Sequence, residues 1–355
     1  MSLQFWKNKT VLLSGHTGFK GSWLSMWLQR LGADVIGFSK SIPTKPSLFE
    51  LANVKDGMTS IMGDIRNFNR FEGVIKEFKP EIIIHMAAQS LVHTAYRNPT
   101  ETYSTNIMGT VNLFEAIRIT GIPKVVINVT SDKCYQNKEL KRGYREDDPM
   151  GGYDPYSSSK GCAELITSSF RNSFFNPNDY KKHRVAIASV RAGNVIGGGD
   201  WSENRLIPDI VRSITDNIPL NIRNPHATRP WQFVLEPLNG YLMLAENLWR
   251  YGPKYTEGWN FGPDDKNIKP VSYIVKNFMQ LWGKKINFIQ SKKIYPYETN
   301  YLKLDSVKAK TRLGWKMKMN LDLALKYTVE WYKKYIQKEN IREFSEEQIE
   351  NFNIL

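Results

Sequence analysis

Three features of the sequence predict an α/β fold: a doubly wound parallel sheet with a second, smaller mixed α/β domain. Short apolar runs alternate with helical stretches through residue 190. A glycine-rich turn follows the first of those runs directly. Beyond residue 190 the alternation gives way to irregular helix and strand signals. Regular alternation builds a parallel sheet covered by helices on both faces.

The first run is Thr10 to Ser14, apolar and bounded by glycine, as a buried parallel strand requires. Gly15-His16-Thr17-Gly18-Phe19-Lys20-Gly21 follows, and Ser22 to Leu31 reads as a helix. Glycines between strand and helix permit a tight turn. They also let backbone N–H groups approach a pyrophosphate at the helix N-terminus. Ala33 to Ser39 is the second strand. Lys40 and Ser41 follow it, where NAD binders often carry an acid for the ribose hydroxyls. Lys40 leans towards a 2′-phosphate, hence NADP, or is an exposed loop lysine. Met58 to Gly63 is the third strand, ending in Asp64-Ile65-Arg66. Asp64 meets an adenine edge or caps the helix beginning near Asn67.

Glu81 to Met86 is the fourth strand, followed by Ala87-Ala88-Gln89, small enough for backbone to pass under a cofactor. Asn98-Pro99 opens a long helix to about Thr120 that contains Asn106. Lys124 to Val129 is the fifth strand and delivers Thr130-Ser131-Asp132-Lys133 at its carboxyl end, the ligand edge of an open parallel sheet. Asp154-Pro155 starts the next helix, and Arg184 to Val190 is the sixth strand. Pro208 to Ile214, Val234 to Trp249, Val271 to Trp282 and Leu321 to Ile336 read as helices, and Leu220 to Arg223 as a strand. The expected division is residues 1–190 for the dinucleotide-binding domain, with 231–255 returning to it. Residues 191–230 and 256–355 then make most of the substrate domain.

With 355 residues, 41% of them hydrophobic, the chain can bury a sizeable core. Its two cysteines, Cys134 and Cys162, are too few for a disulfide framework, which points to a reducing cytoplasm. No apolar run reaches the ~18 residues of a membrane span. The net charge of +14 suits nucleic acid, an acidic surface or a phosphate-bearing ligand. No nucleic-acid motif accompanies it, and the histidines lack metal-ligand spacing, so neither nucleic acid nor metal is expected.

Tyr156 and Lys160 lie four residues apart, on one face of a helix. An ammonium beside a phenol favours the phenolate and draws the phenol's pKa down from ~10 towards the working pH. Tyr156 would then serve as a base towards an alcohol proton.

Gly15-x-x-Gly18-Phe19-x-Gly21 with Tyr156-x-x-x-Lys160 resembles the extended short-chain dehydrogenase/reductase family. The resemblance covers nearly the whole chain, including Arg191-x-x-Asn194-Val195-x-Gly197 and Asn260-Phe261-Gly262-Pro263. GHTGFKGSWL, TSDKCY, DPMGGYDPYSSSKGCAEL and ATRPWQFVLEPLNGYL are similar to the branch that dehydrates CDP-glucose. Related dTDP-glucose enzymes carry Thr-Asp-Glu where this chain has Ser131-Asp132-Lys133.

The resemblance implies an NAD-dependent 4,6-dehydratase, with NADP left open. Tyr156 takes the 4-hydroxyl proton while hydride leaves C4, Ser131 bonds that oxygen, and Lys160 holds the nicotinamide ribose. Asp132 is the candidate acid for the departing 6-hydroxyl. Lys133 is the candidate base at C5, or only orients the sugar. The implied cofactor wall is Gly15, His16, Thr17, Gly18, Phe19, Gly21, Lys40, Asp64, Ile65, Ala87, Ala88, Gln89 and Asn106 with Tyr156 and Lys160. Asn194 would touch the sugar nucleotide. Its diphosphate needs cations: Arg229 first, then Arg205 and Arg223, because a planar guanidinium suits phosphate oxygens. A 4-epimerase would share Ser131, Tyr156 and Lys160 but needs no acid/base pair at 132 and 133. A non-catalytic RNA binder would require none of the set. In the resembling family the helices matching Pro99–Thr120 and Pro155–Phe174 pair across a two-fold axis, so the resemblance implies a homodimer, or a dimer of dimers.

Overall fold

Six strands follow in chain order: β1 (Thr10–Ser14), β2 (Asp34–Ser39), β3 (Thr59–Met62), β4 (Ile82–His85), β5 (Val125–Val129) and β6 (Ala186–Ala192). Gly258–Phe261 joins them as a seventh, and the sheet runs Gly258–Phe261, β6, β5, β4, β1, β2, β3, with every pair parallel. The computed structural model describes residues 3–284, 288–290 and 301–355. Residues 285–287 and 291–300 of the expected substrate domain lie outside the described residues.

Both faces of the sheet are covered, and the strand residues divide between them with period two. Val11, Leu13, Ile82, Ile84, Val125 and Ile127 face one core with the helices Phe19–Arg30 and Leu235–Tyr251. Leu12, Ile83, Val126 and Ile187 face the other, against Phe71 and Ile75 of the Phe68–Phe78 helix and Leu113 and Ile117 of the Gly109–Thr120 helix. The chain winds outward from β1 to β3, then crosses back to β4. The carboxyl ends of β1 and β4 therefore flank the switch point where open sheets bind ligands.

Several boundaries differ from the sequence reading. Arg184 has φ 57° and closes the short Tyr180–His183 helix, so β6 begins two residues later than expected. The helix from Pro99 to Thr120 contains a π turn at Ser104–Met108, which carries Asn106. Gly258–Phe261 lies in the range expected for the smaller domain, yet it extends the main sheet beside β6. A helix at Ile341–Ile354, outside the sequence reading, packs Ile349 and Phe352 into the first core.

Beyond β6 the chain forms two-stranded pairings. Val195–Ile196 pairs with Gln232–Phe233, and Thr228–Pro230 with Ile268–Pro270. Helix Leu321–Ile336 packs against the first pairing and helix Val271–Trp282 against the second. Ile210, Trp315 and Trp331 belong to the same apolar cluster as one face of the main sheet, so the smaller region shares that core.

Candidate active site

A cavity of about 1130 Å³ opens at the carboxyl ends of the strands. Its wall takes Gly15 to Gly21 without His16, the ends of β2 to β6, and segments 200–209 and 221–231. Glycine geometry shows that the wall fits a dinucleotide. Gly15 has φ 80°, and a Cβ there would lie 2.7 Å from Ala87 N. A Cβ on Gly21 would lie 2.1 Å from Gly15 O, so close packing of helix on turn forbids any side chain. Gly18 is different: a Cβ would meet only Gly15 O, at 3.4 Å. Folding does not demand glycine at 18, but close approach of a ligand does. Gly18 is also the N-cap of the Phe19–Arg30 helix and offers no side-chain oxygen to its first N–H groups. Those donors suit a pyrophosphate.

Thr17, Phe19, Lys40, Asp64, Ile65, Ala87, Ala88 and Gln89 line this half of the cavity. Asp64 does not cap a helix, because Asn67 does that by accepting from Arg70 N. Asp64 instead accepts from Arg66 Nη2 at 2.6 Å, which holds its carboxyl below the usual range. The Lys40 ammonium sits 2.8 Å from Glu101 and 3.8 Å from Asp64. A 2′-phosphate here would face two carboxylates, so the surroundings of Lys40 favour NAD over NADP.

Two expected cofactor residues turn away from the cavity. The His16 ring is fully buried, held by the Ser39 and Ser60 hydroxyls at 2.8 and 2.7 Å, and burial lowers its pKa to about 4. It therefore fixes the turn against β2 and β3. Asn106 Oδ1 accepts from Gln89 N, and Asn106 Nδ2 donates to Gln89 O and to Ser159 Oγ at 2.8 Å. It braces the wall from behind, tying the segment after β4 to the Tyr156 helix.

The other half of the cavity is built on that helix, Pro155–Ser173, and on the segment after β5. Asp154 caps the helix by accepting from Tyr156 N and Ser157 N, each at 3.0 Å, and Pro155 takes its first turn. One turn beyond Lys160, Glu164 makes a buried bidentate pair with Arg191, at 2.9 and 2.8 Å. Thr130 and Ser189 also donate to it. This clamp sets the helix against β5 and β6 and so fixes Tyr156 and Lys160 beside Ser131. The sequence reading missed Glu164, although it recurs at i+4 from Lys160.

Ser131, Asp132, Tyr156 and Lys160 are each at most 8% exposed and line the cavity together with Lys133. Ser131 donates to Asp132 Oδ1 at 3.0 Å and hydrogen-bonds with the Tyr156 phenol. Burial pushes that phenol up to about 12, although the Ser131 bond opposes it. The lowering expected from Lys160 is thus not realised. The leading charges on the phenol belong to Asp132, Arg205 and Asp154, while Lys160 donates to Val129 O at 3.3 Å. Burial draws Lys160 itself down to about 8. Asp132 is raised by burial, against the pull of Lys133, Ser131, Lys20 and Arg229. Its carboxyl also abuts Gly193, where a Cβ would lie 2.9 Å away, which accounts for glycine in the Arg191–Asn194 segment.

Asn194, Arg205, Arg223 and Arg229 complete the far wall. Arg205 pairs with Asp200 at 3.0 Å, Arg223 donates to Asn204 O at 3.0 Å, and Arg229 to Thr228 O at 3.1 Å. The sequence reading assigned no role to Lys20, which lines the cavity from the start of the Phe19–Arg30 helix.

A family profile described as GDP-mannose 4,6 dehydratase matches residues 12–328. A CDP-glucose 4,6-dehydratase of Salmonella typhimurium is 53% identical over 98% of this chain and 97% of its own length. A probable dTDP-glucose 4,6-dehydratase of Sinorhizobium fredii is 26% identical over 91% of this chain and 92% of its own. Among solved structures, the dTDP-glucose 4,6-dehydratase of Bacillus anthracis in complex with NAD superposes with a TM-score of 0.75 at 23% identity. That match covers 93% of this chain and 98% of that one. A UDP-glucose 4-epimerase of Thermotoga maritima with UDP-glucose gives 0.80 at 22% identity, covering 92% and 99%, and speaks for the fold alone. The match through residue 328 and the 53% identity over almost the full length place this chain in the GDP-mannose 4,6 dehydratase family of the extended short-chain dehydrogenase/reductases.

Proposed function

We propose that the chain converts CDP-glucose to CDP-4-dehydro-6-deoxyglucose, with the roles of its residues as follows. NAD is the cofactor; held by the Gly15–Gly21 turn and by Lys160, it would supply a hydride acceptor for the sugar C4 and a hydride donor for C6, with no net change in its own oxidation state. Tyr156 accepts the proton of the 4-hydroxyl, and Ser131 hydrogen-bonds the same oxygen. Burial raises the phenol, so phenolate formation needs a nearby positive charge, and Lys160, one turn along the same helix, is the cation assigned to it. The 4-ketone acidifies the C5 proton; Lys133 removes it, and the Lys133 ammonium returns a proton to C5 when hydride arrives at C6. Asp132 protonates the departing 6-hydroxyl. Arg205, Arg223 and Arg229 hold the diphosphate, with Asn194 beside the sugar.

One observation carries the dehydratase reading over the epimerase reading. Asp132 is buried and accepts from the Ser131 hydroxyl at 3.0 Å, and burial raises its pKa, as a general acid needs. Incubation with CDP-glucose and a trace of NAD tests this. A 4-keto-6-deoxy product, seen by its absorbance in alkali, is expected. A C4-epimerised sugar instead of the keto product would favour the epimerase reading.

The same reading makes the protein a cytoplasmic homodimer. Met108 and Ile119 on one helical segment, and Leu165 and Phe174 at the Tyr156 helix, are about half exposed or more. A second copy would cover them by isologous pairing of these helices. Light scattering at micromolar concentration checks this: twice the chain mass is expected, and the mass of one chain counts against it. Among the described residues, no helix is long and apolar enough to cross a membrane.

A further inference from the structure

We propose that Lys20 is a phosphate-gripping residue that binds a pyrophosphate diester from the reacting side of the cavity. Lys20 is the second residue of the Phe19–Arg30 helix, two positions after the uncapped Gly18. Its side chain therefore starts from the turn whose N–H groups suit a pyrophosphate, and it lines the cavity. Among the described residues no hydrogen bond or ion pair holds its ammonium. Arg205, by contrast, is paired with Asp200, and Lys160 bonds Val129 O.

The electrostatic surroundings of Lys20 are unbalanced. Arg205 and Lys160 act on it as like charges, and the Asp132 carboxylate attracts it. That carboxyl is itself raised by burial, so it compensates poorly. Burial is the main force drawing Lys20 down to about 8, where most of its population is still charged at neutral pH. A partly buried cation without a partner, at the edge of a cavity already holding several cations, is relieved by an anionic ligand. An ammonium on a flexible stem serves as a point charge for phosphate oxygens. The pyrophosphate comes from the dinucleotide or from the nucleotide sugar. Only the second source rests on the function proposed above.

Calorimetric titration separates the sources. Wild type, Lys20→Met and Lys20→Arg are titrated with NAD, and the NAD-saturated proteins with CDP and with cytidine. Loss of one charge-assisted bond should weaken either NAD or CDP by about tenfold to a hundredfold in Lys20→Met. Lys20→Arg should restore most of it, and cytidine binding should not change. Weaker NAD assigns Lys20 to the cofactor, and weaker CDP assigns it to the substrate. Binding of both ligands within about twofold of wild type, in a variant with unchanged circular dichroism, would overturn the proposal.

A wild-type measurement removes any dependence on folding of the variants. Acetylation of Lys20, followed by mass spectrometry, should be suppressed by NAD or by CDP. Equal labelling in the presence of either ligand would also overturn the proposal. A wild type that binds CDP yet makes no product from CDP-glucose counts against the dehydratase reading and leaves these binding results to decide Lys20.

Discussion

The two halves of the cavity are made of different material. Under β1 and β2 the wall is mostly backbone: a glycine turn, an uncapped helix N-terminus and the close passage of Ala87. Under β5 and β6 it is made of buried ionisable side chains: Asp132, Tyr156, Lys160 and, behind them, Glu164 with Arg191. Backbone donors have fixed charge and no pKa, so they hold a ligand equally well at any pH. Buried side chains have pKa values moved by desolvation, so they can transfer protons. The first half is suited to binding and the second to chemistry.

Substitutions can break this division at known points. The largest effect belongs to Tyr156→Phe, which removes only the phenolic proton acceptor. Turnover should fall by about 10²–10⁴-fold or more, while NAD affinity and circular dichroism stay at wild-type values. Near-normal turnover would remove Tyr156 from the mechanism. Glu164→Gln comes next. It leaves the Arg191 guanidinium buried without its carboxylate, and the loss should be about 3–5 kcal/mol in denaturant unfolding. A loss below about 1 kcal/mol would mean that the clamp does not hold the helix.

Smaller effects are expected in the binding half, where two glycines sharpen the comparison. Gly21→Ala forces a methyl against Gly15 O and should cost about 1–3 kcal/mol of stability. Gly18→Ala meets no such contact and should leave stability within about 0.5 kcal/mol of wild type while weakening NAD binding, read by calorimetry. If Gly18→Ala bound NAD as wild type does, close approach of the cofactor at that turn would be refuted.

The backbone half was nearly all legible in the sequence. Gly15, Gly18 and Gly21 lie between a strand and a helix, and local rules of turn geometry are enough to interpret them. Even there, direction was not legible. His16 turns under Ser39 and Ser60, and Asn106 turns towards Ser159 through a π turn, because both choices depend on neighbours distant in sequence. In the chemical half, the residues Ser131, Asp132, Lys133, Tyr156 and Lys160 were legible but their electrostatics were not. The i, i+4 spacing of Tyr156 and Lys160 suggests a lowered phenol. Instead the Lys160 ammonium bonds Val129 O, and burial raises the phenol. Gly258–Phe261 reads Gly-Trp-Asn-Phe, with no continuous apolar run like that of β4, so only pairing with β6 identifies it as part of the sheet.

The central claim is that the chemical half separates oxidation from elimination, with Asp132 and Lys133 serving only the second. Single-turnover reaction of Asp132→Asn and of Lys133→Ala with CDP-glucose, with nicotinamide absorbance followed in deuterated water, tests it most directly. Both variants should accumulate reduced cofactor, because C4 is still oxidised, and form product about 10²–10⁴-fold more slowly. Lys133→Ala should also take up deuterium at C5 slowly. Wild-type rates of C5 exchange and product formation in Lys133→Ala, or no reduced cofactor in either variant, would contradict the account.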